Sequence, residues 1–139
     1  MGQIKVIRPG EIKPQMFRGL GEEGGRFRRI IVTERMFLNL DEVNPGFSPH
    51  RWHTHTTDEG QGYRIDYAED FEEIYYIVSG SGVIQWKTES GEVVEEKVNS
   101  GDTIYIPPGV GKHQLLNNGK EKIVLMVIGS PPSRLTVMK

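Results

Sequence analysis

The sequence predicts an all-β fold, a barrel or sandwich of short antiparallel strands. Three observations carry this. Short runs rich in β-branched and aromatic residues are broken by turns every 8 to 12 residues. No stretch sustains a period of 3.6. Glycines and prolines sit between the runs and not inside them. Such a pattern belongs to barrels and jelly rolls, which hide their edges and enclose a mouth lined by inward side chains.

The runs follow in order. Residues 28–33 (RRIIVT) and 36–40 form the first two expected strands. Residues 73–78 (EIYYIV) end at Ser79-Gly80-Ser81-Gly82, and 83–88 (VIQWKT) follow at once, so Ile77 and Val83 flank a glycine hairpin. Residues 93–98 (VVEEKV) lie between two further turns. Residues 103–106 stop at Pro107-Pro108-Gly109, and 113–116 stop at Asn117-Asn118-Gly119-Lys120. Residues 122–128 (KIVLMVI) are the most apolar run, expected as a central strand buried on both faces.

With 139 residues the chain is expected to be one domain, 1–139, burying roughly two-thirds of its unfolded surface. Hydrophobic residues make up 36% and charged residues 26%, which excludes a coiled coil, a collagen and a disordered polymer. No apolar run approaches the ~20 residues of a membrane span, and residues 1–10 are too polar for a secretory core. The chain has no cysteine, so disulfides, thiolate metal sites and a cysteine nucleophile are excluded, and a cytoplasmic location is expected. A net charge of −2 favours no polyanionic partner, so neither nucleic acid nor membrane is expected.

Three of the four histidines sit at informative spacings. His53-Thr54-His55 is a His-x-His pair whose imidazoles share one face if the segment is a strand. Glu73 opens the next strand on the face of Tyr75 and Ile77, and His113 follows the Pro-Pro-Gly turn. Three neutral imidazoles and a carboxylate suit a divalent first-row metal: manganese, iron, nickel, zinc or copper. Between them, residues 56–72 form a 17-residue stretch with six carboxylates, too long for an ordinary connection. It is expected either as an acidic surface loop that extends a hairpin or as a lid at the barrel mouth with Tyr63, Arg64 or Tyr67 contacting substrate.

These residues resemble the cupin superfamily, whose fold is a jelly-roll β-barrel, the double-stranded β-helix. Gly46, His53, His55, Glu73 and Gly80 match the family's first motif, with a longer gap between His55 and Glu73. Gly101, Pro107, Gly109, His113 and Asn117 match the second, with one extra residue before His113. The resemblance covers about residues 36–128 and leaves 1–25 as an extension or dimer arm. It implies that His53, His55, Glu73 and His113 hold the metal. Glu59 has the motif's literal spacing from His55, but it precedes no strand, so Glu73 is the expected carboxylate.

Other features have plainer readings. His50 is expected on the opposite face from His53, or in a turn after Pro49. The G-x-G-x-x-G at residues 19–24 lacks a following helix and reads as a loop. Arg26, Arg28 and Arg29 read as a solvated strand face, with an inward arginine gripping a substrate anion as the lesser possibility. Tyr75, Tyr76 and Trp86 are expected in the core and barrel wall, with the Tyr75 hydroxyl within reach of the metal's surroundings.

The resemblance implies a metal-dependent enzyme acting on a small oxygenated substrate, by dioxygenase-type or isomerase- or lyase-type chemistry. The alternative is a non-catalytic binder of a small, sugar-like molecule. Candidate catalytic residues are Tyr75, Tyr63, Arg64 and His50, with Tyr67 and Asp66 nearby in sequence. A homodimer is expected from the family.

Overall fold

Alternation decides the fold strand by strand. The structure, a computed structural model, describes residues 2–60, 63–67 and 70–132. Within these the chain forms strands β1 (Gln15–Met16), β2 (Gly25–Val32), β3 (Phe37–Val43), β4 (Thr57–Gly60), β5 (Tyr63–Asp66) and β6 (Glu72–Ser79). Strands β7 (Ser81–Lys87), β8 (Val93–Asn99), β9 (Thr103–Ile106), β10 (His113–Leu116) and β11 (Ile123–Ser130) complete the order. Short 3₁₀ turns occupy Pro9–Glu11 and Glu22–Gly24. The all-β jelly roll expected from the sequence is therefore the fold.

Six strands form one sheet in the order β1-β2-β3-β11-β6-β9, and β10-β7-β8 form a second. All pairings are antiparallel. The core lies between the sheets. Phe37, Val43, Ile77, Ile123 and Leu125 come from the larger sheet, and Ile84, Val98 and Leu115 from the smaller. Each such side chain, fully buried, contributes about 1.5–3 kcal/mol. The Ser79-Gly80-Ser81 turn joins β6 to β7 across this core. Gly80 has φ +90°, and a Cβ there would lie 2.7 Å from the Lys122 carbonyl oxygen, so both conformation and space require glycine.

Some expectations change and others hold. β11 is central, between β3 and β6, but only its inner residues Ile123, Leu125, Val127 and Gly129 are buried; Val124, Met126 and Ile128 are half-buried on the outer face. Tyr76 points outward with 42% exposure, because it alternates with the buried Tyr75 and Ile77. Trp86 is half-buried and packs against the core. The stretch 56–72 contains a hairpin, β4 with β5, that pairs Thr57 with Asp66 and Gly60 with Tyr63. Gln61, Gly62, Ala68 and Glu69 of that stretch lie outside the described residues. The G-x-G-x-x-G segment ends in a 3₁₀ turn and runs into β2.

Two devices matter for the site. The pairing of β2 with β3 shifts register between Arg29 and Ile31, a bulge next to Arg29. Asn117 is fully buried after β10. Its Nδ2 donates to the Val43 carbonyl at 2.9 Å and to the Glu121 carbonyl at 2.8 Å, while its Oδ1 accepts from the Gly119 amide at 3.0 Å. This motif residue is therefore a clamp between β3 and the β10–β11 turn.

Candidate metal centre

The His-x-His pair is not in a strand. His53 makes a single bridge to His113, with the two main chains exchanging hydrogen bonds of 3.1 and 3.0 Å. His55 follows in an irregular stretch before β4. The bridge, and not strand parity, sets His53 beside His113 at the start of β10. Glu73 is delivered by β6, on the inward face with Tyr75 and Ile77.

All four side chains are buried: His53 at 6% exposure, and His55, Glu73 and His113 at 1%. One nitrogen from each histidine lies within 4.8 Å of the others. The His53 and His113 ring centroids are 4.3 Å apart, and those of His55 and His113 are 5.0 Å apart. Glu73 Oε1 lies 3.5 Å from His55 Nε2.

The backbone fixes which nitrogen faces inward. A carbonyl can only accept, so each Nδ1 bonded to one carries the proton. His53 Nδ1 donates to the Arg51 carbonyl at 2.9 Å and His113 Nδ1 to the Gly111 carbonyl at 3.0 Å. His55 Nδ1 donates to the Phe71 carbonyl, and its ring stacks on the Phe71 ring at 4.0 Å. Each Nε2 is then a bare lone pair. The Nε2 atoms of His55 and His113 are buried with no hydrogen-bond partner, an arrangement that would be costly without a cation to accept them. Burial also lowers the pKa of His53 and His113, which keeps them neutral as ligation requires. Three histidines can thus hold a metal ion, with the Glu73 carboxylate beside them.

The remaining candidates separate. His50 packs its ring 5.3 Å from that of His53, and its Nδ1 lies 3.1 Å from Asp58 Oδ2. It is half-buried beside the cluster and not on an opposite face. Asp58 is 2% exposed. Burial alone would raise its pKa, but the His50 bond and charge prevail and hold it at about 2. Tyr63 donates its hydroxyl to Asp58 Oδ1 at 3.3 Å, and burial plus that carboxylate push the phenol up to about 12. Arg64 instead lies on the outside of the hairpin, bonded to Glu59 and Asp66, so neither Arg64 nor Glu59 reaches the histidines. Tyr75 is 3% exposed within the apolar core. Tyr67 packs edge-on against Phe71 at 5.8 Å.

A cavity of about 280 Å³ adjoins the cluster, its wall including His50, Asp58, Arg29, Asn39 and Asp41. Sequence reasoning passed over Asn39 and Asp41, and held Asp58 only as a fallback ligand with Glu59 should Glu73 not bind. A signal existed for the first two: in FLNLDEV they share alternation with Phe37 and Val43, so two polar residues occupy core-facing positions.

A family model for the cupin domain matches residues 55–129. The chain belongs to this family. An uncharacterized protein of Methanocaldococcus jannaschii, MJ1618, is 39% identical over 61 residues, a match that covers 44% of this chain and 44% of that protein. The match therefore spans less than half of that relative. The polyketide cyclase RemF of Streptomyces resistomycificus superimposes with a TM-score of 0.66 and 21% identity, over 94% of this cupin and 83% of RemF. The capsular polysaccharide assembling protein CapF of Staphylococcus aureus gives 0.61 and 23%, over 85% of this cupin and 28% of CapF. At these identities the likeness is one of fold.

Proposed function

We propose that this cupin is a metal-dependent enzyme acting on a small oxygenated substrate, with a divalent ion held by His53, His55, Glu73 and His113. The observation that supports it is the set of three buried imidazoles with every Nδ1 fixed to a main-chain carbonyl. That RemF, a fold neighbour, is described as a cyclase agrees with an enzymatic role for this scaffold. When bound, a first-row ion supplies Lewis-acid polarisation of a substrate oxygen and a template for it. The protein's own contribution is orientation. The carbonyls of Arg51, Phe71 and Gly111 hold the Nδ1 protons in place, and the β4–β5 hairpin closes one side with Asp58 and Ile65. Of the expected candidates, His50 and Tyr67 line the adjoining cavity, His50 beside Asp58. Dioxygenase-type or isomerase- or lyase-type chemistry is the proposed reaction class. The proposed setting is the cytoplasm, consistent with the absence of cysteine; no helix among the described residues is long and apolar enough to cross a membrane.

Elemental analysis of the purified protein is expected to give about one first-row metal per chain, and His113→Ala to lose it. Oxygen uptake and turnover of sugars, catechols and keto acids then test the chemistry. Stoichiometric metal in His113→Ala, or no metal in any preparation, would overturn the reading. The partner proposed beyond substrate is a second copy of the chain. Ile74, Tyr76 and Val78 on β6 and Tyr105 on β9 are exposed on one outer face, and identical patches can bury one another about a two-fold axis. Light scattering at the dimer mass, reduced to the monomer by Tyr76→Lys, is the expected result.

A further inference from the structure

Residues 2–8 are a part of the chain that its own body leaves uncovered. They form no helix or strand, and among the described residues no main-chain hydrogen bond ties 2–7 to the rest of the chain. Ile4 is 99% and Val6 71% exposed. The segment is anchored at one defined place. Arg28, which turns outward from β2 to Glu42, donates its Nε to the Ile12 carbonyl at 3.1 Å, and residues 2–8 lie beyond the 3₁₀ turn at Pro9–Glu11. The outer face of the larger sheet has the matching deficit. Tyr105, Ile74, Ile128, Leu38 and Ile31 pair in turn across β9, β6, β11, β3 and β2, a row over five strands without a charge. At its β6–β9 end Ile74, Tyr76, Val78 and Tyr105 are exposed. An antiparallel sheet with one face in water normally carries polar residues there, and a contiguous apolar patch marks an interaction surface.

We infer that residues 2–8 of each copy lie along the outer face of β6 in a second copy, antiparallel to it, so that two chains exchange arms. The inference rests on the proposed dimer and deepens it, because the arm supplies what covers the exposed face. The two surfaces match in pattern. In an extended segment Ile4, Val6 and Arg8 share one face. On β6 the outward residues are Glu72, Ile74, Tyr76 and Val78. Run antiparallel, Arg8 meets Glu72, Val6 meets Ile74, and Ile4 meets Tyr76 and Val78. Glu72 Oε1 accepts from Tyr105 Oη at 3.1 Å, which fixes the carboxylate at the edge of the patch for a guanidinium. Length permits the exchange. Seven extended residues reach about 20 Å, whereas β2 and β6 are three strand spacings apart, about 14 Å. The same length would reach β6 of its own sheet, yet Ile4 and Val6 are left exposed there. A two-fold axis then uses the match twice.

The chain has no cysteine, so introduced ones report cleanly. Isotope-labelled Ile4→Cys chains are mixed with unlabelled Val78→Cys chains and mildly oxidised. The expected product is a disulfide joining one labelled to one unlabelled chain, read by mass. Arg64→Cys, on the outside of the β4–β5 hairpin, should give no such product with Ile4→Cys. In the Ile4→Cys/Val78→Cys double variant the crosslinks should run between chains and not within one. Light scattering then measures the strength of the dimer. Deleting residues 2–8, or the Ile4→Asp/Val6→Asp pair, should raise its dissociation constant at least about tenfold. Crosslinks within a single chain, equal crosslinking to Arg64→Cys, or a dimer equally tight without residues 2–8 would each overturn the inference and leave the sheet-face dimer standing. A full-length chain that is monomeric at every concentration would overturn both. Metal content, measured in the same preparations, reports separately on the proposed metal centre.

Discussion

His55 depends on one main-chain atom more than on its neighbours in sequence. Its Nδ1 proton sits on the Phe71 carbonyl, and its ring lies against the Phe71 ring. Phe71 immediately precedes β6, which carries Glu73, so one segment places both an imidazole and a carboxylate. Truncating either side chain is expected to lower bound metal well below stoichiometry. Glu73→Ala should do so and should lower the midpoint no further than EDTA lowers that of the parent, because the loss of the ion is accompanied by removal of a buried carboxylate; elemental analysis with thermal unfolding checks both. Full metal occupancy in that variant would show that Glu73 does not ligate. The residue Asn117 makes the opposite kind of contribution. Asn117→Ala leaves the carbonyls of Val43 and Glu121 without their donor and is expected to cost about 2–4 kcal/mol, at roughly 1–3 for each orphaned group with partial relief by water. Chemical denaturation measures this, and a cost under about 1 kcal/mol would argue that water replaces the amide fully. His55, Glu73 and Asn117 stood out in the sequence because they fall at the family's motif positions, whereas Phe71, which holds His55, carried no such signal. The route by which His53 and His55 meet was not legible either. The sequence suggested a strand, while the fold uses one bridge between His53 and His113, a contact set by chain segments sixty residues apart in sequence.

At the scale of elements, eight strands were legible, β1, β4 and β5 were not, and facing was only partly so. Alternation marks β3, β6 and β11 clearly, yet it cannot say that Asn39 and Asp41 turn inward to a cavity while Tyr76 turns out. That depends on which faces the second sheet covers. The 56–72 stretch reads as a loop by composition, and its hairpin is stabilised by pairs the composition hides, such as Arg64 with Glu59 and Asp66. Across β2, β3 and the entry to β11, Glu42 joins three cations: Lys122 at 2.7 Å, Arg26 at 2.8 Å and Arg28 at 3.3 Å. The Lys122 hydrogen bond leads the causes that lower its pKa from 4.5 to about 2. The folded value is the depressed one. Its contribution is therefore complete above pH 4.5 and is lost as the pH falls through about 2. Glu42→Gln is expected to be less stable than the parent at pH 7, with the gap closing between pH 4.5 and about 2. Denaturation curves across that range decide it; a gap independent of pH would mean that the pairing adds no stability through charge.

For the whole molecule, the candidate metal centre joins parts of the chain that the sheets leave only loosely connected. His53 and His55 come from the irregular stretch after β3, Glu73 from the larger sheet and His113 from the smaller. Without a cation, the bare Nε2 atoms of His55 and His113 are buried at an energetic cost. An ion that binds the folded chain and not the unfolded one adds stability by mass action, about 2.7 kcal/mol at a hundred times its dissociation constant. For a chain of this size that corresponds to a rise in Tm of several degrees. EDTA is expected to lower the midpoint by that amount, and readdition of a first-row metal to restore it. His53→Ala and His113→Ala should abolish the response, and Arg64→Ala, on the outside of the hairpin, should keep it. Proteolysis should change in step, with the 51–56 segment becoming more susceptible when metal is removed, because the His53–His113 bridge, the contacts of His55 with Phe71 and short main-chain hydrogen bonds then hold it without the ion. A midpoint unchanged by EDTA in protein shown to contain metal would place the ion elsewhere on the molecule.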